Sequence, residues 1–165
     1  MPFTPFHMGL GLFLKGTLPK HFSLTSFAVT QVIIDLESLY HLVRHEAPVH
    51  RIMHTEPVAT SIGLGVAVFL SVVQRPIARY LPELRVVRSE VSMWPLLLGG
   101  ALGGVSHPVL DGLMHSDIRP FLPLSHLNPL LHAVPSSTLH VGCIIAGIAG
   151  IGLLAVRESI WERTA

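Results

Sequence analysis

His107, Asp111 and His115 recur at intervals of four within the apolar run Ser-His-Pro-Val-Leu-Asp-Gly-Leu-Met-His that spans 106–115. On a helix that spacing returns to one face, so it predicts two imidazoles and a carboxylate pointing the same way. Ionisable groups in an apolar helix are costly unless they are paired, hydrated or bound to metal. Imidazole and carboxylate together are ligands for zinc, manganese or iron, and a donor set without thiolate suits a hydrolytic centre better than a structural zinc. His107 and Asp111, one turn apart, can reach one ion. Asp35 and His54 from other segments would close its shell, and His7 would share a bridging Asp111 with a second ion. Such an ion lowers the pKa of water to about 7 and polarises a phosphoryl or acyl oxygen. Asp111 with Glu37 is the expected catalytic pair, with Glu37 or Glu56 acting as general base or as acceptor for a ligating imidazole.

Each assignment has a plainer alternative. Asp35 can pair with a histidine or an arginine, and His50 and His54, also four apart, lie in a polar connector where both can be solvated. His41, His45, His132 and His140 read as hydrogen-bonded packing residues, and Cys143 as a small core residue.

The elements that must position these groups are those of a membrane protein. Half of the 165 residues are hydrophobic and 13% are charged, with mean hydropathy +0.58, so residues 1–165 read as a single membrane-embedded domain. A net charge of +1 with scattered arginines excludes an extended nucleic-acid surface. No basic start precedes the first apolar stretch, so insertion is expected to rely on internal spans.

Thr4 as N-cap and Pro5 at the first turn predict a short helix to Gly16, about half a bilayer deep and therefore re-entrant or interfacial. Ser23 or Thr25 caps a helix to about Val43. An uncharged span follows over 57–73, then a basic segment with Arg75, Arg79, Arg85 and Arg88 in which Pro76 and Pro82 end the helix. A third run covers 91–114, with Gly99, Gly100, Gly103 and Gly104 at close-contact spacing and a kink at Pro108. A Pro- and His-rich loop spans 116–137. The last span covers 138–156, with Gly142, Ala146 and Gly150 at contact spacing, before a polar tail.

The resulting fold class is an all-α, polytopic integral membrane bundle of about four spans plus an N-terminal half-helix. Placing Lys15, Lys20, Arg75, Arg79, Arg85, Arg88, Arg157 and Arg163 inside accounts for eight of the eleven basic residues. That orientation brings His7, Asp35, His54, His107, Asp111, His115 and His140 to one level near the outer leaflet.

The order of Thr4-Pro5-Phe6-His7, Asp35 late in a helix, His50-Arg51 followed by His54-Thr55, His107-xxx-Asp111 and Pro120-Phe121-Leu122-Pro123 resembles the bacterial and archaeal membrane-bound metal-dependent hydrolases, which are distantly similar to zinc-dependent phospholipase C. The chain differs from that family at Ile34-Asp35-Leu36-Glu37, where a Pro-Asp-x-Asp motif is usual, and at Met53-His54-Thr55, where Thr-His-Ser is usual. The resemblance implies His7, Asp35, His54, His107 and Asp111 as metal ligands. It implies a multi-pass protein of the bacterial or archaeal inner membrane that holds one or two divalent ions, zinc foremost with manganese or iron as alternatives. Membrane lipid and a lipid-like or amphiphilic substrate are the expected partners. Metal or proton transport, haem ligation by paired histidines, and a non-catalytic, metal-stabilised membrane partner protein are the rival readings.

Overall fold

The computed structural model describes residues 6–80 and 92–164, with side chains over 6–74 and 92–160. Among these the chain is all-helical: α1 (His7–Thr17), α2 (Leu24–Val43), a 3-10 turn (Ile52–His54), α3 (Glu56–Tyr80), α4 (Met93–Gly112) and α5 (Ser136–Thr164). The Thr4 cap, Pro5, Pro82, Arg85 and Arg88 lie outside the described residues.

Local chemistry sets several boundaries. Ser23, in extended conformation, accepts from the Ser26 backbone N–H at 3.2 Å and so satisfies one of the donors exposed where α2 begins. Lys15 ties the preceding turn by donating to the carbonyls of Pro19 and Phe22 at 3.0 and 3.1 Å. The start of α3 is held by the loop after α4, whose Pro120 carbonyl accepts from the Glu56 N–H at 2.8 Å.

Three expectations need correction. Pro76 does not end α3, which continues to Tyr80; a proline removes one ladder bond and can kink a helix without stopping it. The polar tail is not separate from α5, which runs to Thr164. α4 stops at Gly112, so His115 leaves the face shared by His107 and Asp111. There Asn128 donates to the Gly112 carbonyl at 2.8 Å and the His132 N–H to that of Leu113 at 3.1 Å, so the loop satisfies the carbonyls a further turn would use.

α3 packs along α4, α1 along α5, and α2 against both α3 and α4. The apolar centre joins Val66, Ala67 and Leu70 of α3 to Leu96 of α4, with Val29 and Ile33 of α2 against them. Helix approach is close where the glycines meet backbone. A Cβ on Gly63 would strike the Gly100 carbonyl and a Cβ on Gly100 the Gly63 carbonyl, so only hydrogen fits at either position. Gly150 meets Leu12 of α1 in the same way, whereas Gly142 faces open space and is not a contact residue.

Two helices, over Glu56–Gln74 and Ser136–Ile160, are long and apolar enough to cross a membrane. α2 and α4 are each 20 residues long and carry the ionisable residues described next.

Candidate metal centre

The start of α1, the C-terminal half of α2, the 3-10 turn before α3 and the last turns of α4 meet at one end of the bundle. They bring together His7, Asp35, His54, His107 and Asp111, none more than 7% exposed. Donor atoms of Asp35, His54, His107 and Asp111 all lie within 4.8 Å of one another, so this buried group can hold a metal ion. His7 joins from the far side, with its Nε2 3.2 Å from Asp111 Oδ1. The other carboxylate oxygen, Oδ2, is 3.2 Å from His107 Nε2 and 3.8 Å from His54 Nε2. Asp35 Oδ1 is 3.4 and 4.0 Å from the same two nitrogens. The two oxygens of Asp111 thus face two different sets of imidazoles.

The rings are held from behind. Gln31, one turn before Asp35 on α2, points its Oε1 at the Nδ1 of His7 at 3.3 Å and at the Nδ1 of His107. Its amide orientation is fixed because Nε2 donates to the Gly103 carbonyl at 3.2 Å. Glu37 accepts from His54 Nδ1 at 3.2 Å and from the Arg51 and Met53 backbone N–H groups at 3.0 and 3.1 Å. Amide oxygen and carboxylate only accept, so each ring carries its proton on Nδ1 and turns Nε2 inward. Glu37 is thus an acceptor for the His54 imidazole, and its oxygens are already committed to three donors.

The inward atoms are left without partners. Nε2 of His7, His54 and His107 and Oδ1 of Asp111 are buried and make no hydrogen bond, although carboxylate oxygens stand as near as 3.2 Å. In the neutral tautomer fixed by Gln31 and Glu37, lone pairs face lone pairs, and two buried carboxylates share the space. Such an arrangement is costly unless a cation lies between them. Donors about 2.1 Å from a common ion at tetrahedral angles stand about 3.4 Å apart, within the observed 3.2–4.0 Å. Three imidazoles, two carboxylates and no thiolate form a set for zinc, manganese or iron.

Other expected or weighed residues fall elsewhere. Glu56 lies beside a cavity formed with Pro57, Thr60, Phe121, Leu122, Pro123 and Leu124. His41 pairs with Glu46 at 2.8 Å, and His140 stacks on Phe6 with ring centroids 4.3 Å apart. Asp35 faces His54 and His107, not an arginine.

His115 joins His50 and Asp117 in a second group whose donor atoms lie within 4.8 Å. His50 in turn packs edge-on against His54, ring centroids 4.7 Å apart. Burial holds the His50 and His115 imidazoles below their usual values. Asp117 is also lowered: burial opposes this, but hydrogen bonds from the His50 backbone and ring prevail. His50, Asp117, Arg51 and Arg119 line a mainly apolar cavity of about 530 Å³ with Ile52, Val58 and Leu122; none of the five buried residues does.

Gln31 and Asp117 did not enter the expected site. Gln31 had a signal, a lone amide four residues before Asp35 in an apolar helix, whereas Asp117 reaches His50 only through the loop that follows α4. Compared with protein-family models, curated proteins and solved structures, the chain matches none.

Proposed function

We propose that this chain is a multi-pass protein of the bacterial or archaeal inner membrane and a divalent-metal-dependent hydrolase of a lipid-like or amphiphilic phosphoester. In this reading α2, α3, α4 and α5 span the bilayer and α1 enters from the outer side. Zinc is the first candidate ion, and a second ion is shared between His7 and Asp111. The observation that carries the reading is the set of three tethered imidazoles whose unpartnered Nε2 atoms converge on two aspartates. Large apolar side chains left exposed along the helices, among them Val68 and Phe69 on α3 and Ile145 and Ile148 on α5, supply a surface for acyl chains.

A divalent ion supplies Lewis-acid polarisation of an ester oxygen and activation of water. The protein's own contribution is positional. Gln31 and Glu37 fix ring tautomer and direction, and burial keeps competing water from the donor set. In the neighbouring cavity, Arg51 and Arg119 offer positive charge to an anionic headgroup, while Ile52, Val58 and Leu122 offer apolar surface to a chain.

The second reading, a non-catalytic metal-stabilised membrane protein, is favoured by one observation: none of the five residues of the buried centre lines that cavity. The two separate in an assay of the full-length, zinc-loaded protein in mixed micelles with phospholipid and with a chromogenic phosphodiester. The hydrolase reading expects metal-dependent turnover that disappears in His107→Ala. Metal retained without turnover of either substrate would leave the structural role.

A further inference from the structure

The histidine pattern does not stop at the buried centre. His50 turns its Nδ1 toward Asp117 Oδ1 at 2.9 Å, so a ring nitrogen and a carboxylate oxygen already stand about as far apart as two ligands of one ion. Asp117 is itself fixed, since its Oδ2 accepts from the Val49 and His50 backbone N–H groups, each at 3.1 Å. His115 stands over His50 with ring centroids 4.6 Å apart. Its backbone is pinned by the Asp111 carbonyl at 2.8 Å, yet its ring makes no hydrogen bond to any described residue. His115 is thus a half-buried imidazole on a fixed backbone, with no ring hydrogen bond among the described residues and beside a second imidazole and a carboxylate.

We propose that His50, His115 and Asp117 form a second divalent-cation site, distinct from the buried centre and open to the neighbouring cavity. The donors of the three residues lie within 4.8 Å of one another. Two imidazoles and one carboxylate without a thiolate select a first-row divalent ion such as zinc, cobalt, manganese or iron over calcium or magnesium. The site differs from the inner one in exposure. His50 and Asp117 line the 530 Å³ cavity, so coordination positions not filled by protein face that space. An ion held here has a path to that space, which the enclosed set lacks, and so exchanges faster. The site is therefore an exchangeable one, able to take an anionic oxygen ligand from the cavity beside Arg51 and Arg119. Simple stacking of His115 on His50, with Asp117 as a backbone tether, accounts for the contacts but predicts no metal-dependent change at these residues.

Cobalt(II) separates these possibilities, because its visible bands report bound ion directly. The full-length protein in detergent is stripped with a chelator and titrated with Co²⁺, and metal is then measured at equilibrium and again after desalting. The proposal expects tightly held cobalt that survives desalting and a further equivalent, about one, that does not. His115→Ala should weaken the exchangeable class by at least about tenfold and leave the retained class intact. His115→Phe keeps a ring against His50 but removes the donor, and should do the same, which guards against a loss caused by misfolding. Asp111→Ala tests the buried centre separately: it should remove the retained class and spare the exchangeable one. Full wild-type binding in His115→Phe, or the lack of any exchangeable class in the wild type, would overturn the proposal whatever the fate of the buried centre.

Discussion

α4 and α5 are both apolar helices bearing several glycines, yet α4 is enclosed and α5 is largely bare. α4 buries Leu96, Gly99, Gly100, Gly103, Gly104, His107, Pro108 and Asp111. Only 17% of the apolar window of α5 is buried, and Ile145 and Ile148 are 61% and 67% exposed. The difference lies in what the small residues face. Those of α4 meet the backbones of α2 and α3 on two sides, whereas on α5 Gly147 and Gly150 meet α1 alone and Gly142 and Gly152 meet nothing within 4 Å. Close backbone approach is what lets short carboxylates and imidazoles from three or four segments reach one point. α5 makes that approach to a single helix, α1, and leaves the rest of its apolar surface bare.

Substituting glycines on the two helices gives the sharpest contrast. Gly100→Leu should cost about 3 kcal/mol or more, because the Gly63 carbonyl cannot move aside without separating α3 from α4. Gly142→Leu should stay within about 0.5 kcal/mol. Unfolding of both variants in detergent measures the difference, and equal losses would remove the distinction between the two faces. The bare face of α5 is tested by Ile145→Arg. If that face meets lipid, the charge should disfavour insertion by about 3 kcal/mol and reduce membrane-integrated protein; unchanged integration would mean the face is not in the hydrocarbon.

Smaller effects sharpen the enclosed side. Gln31→Leu removes the acceptor behind His7 and His107 but no proposed ligand, so zinc affinity should fall by about 10- to 100-fold without loss of helicity. Competition with a chromogenic chelator reads that shift, and unchanged affinity would show that the tethers do not matter. A small gain is expected at His45, which closes α2 with φ of 55°. His45→Gly should raise stability by about 0.5–1 kcal/mol, measured as a higher unfolding midpoint, because a side chain in the left-handed region is strained where glycine is not.

How much of this was visible in the sequence depended on whether the deciding contact was local. The four-residue step from His107 to Asp111 placed both on one helix face, and the composition of 23–43 marked α2 with a cap at Ser23 or Thr25, of which Ser23 is the one used. His115 continued the same step and misled, because Asn128 and His132, more than a dozen residues on, close the last turn of α4. Gln31 was legible as a lone amide one turn from Asp35. Asp117 was not, since its role depends on a loop folding back to the connector at Val49 and His50. Long-range closure of this kind leaves no periodic trace. The glycine pattern likewise marked the stripe on α4, but could not show that Gly142 faces away from α1.

The central claim is that the converging Nε2 atoms hold a divalent ion. Elemental analysis of the full-length, detergent-purified protein beside His107→Ala and Asp111→Ala tests it most directly. The account predicts about one or two equivalents of zinc, manganese or iron retained through desalting in the wild type and lost in both variants. A wild type that retains no transition metal even after adding it back, or variants that keep the full complement, would contradict it.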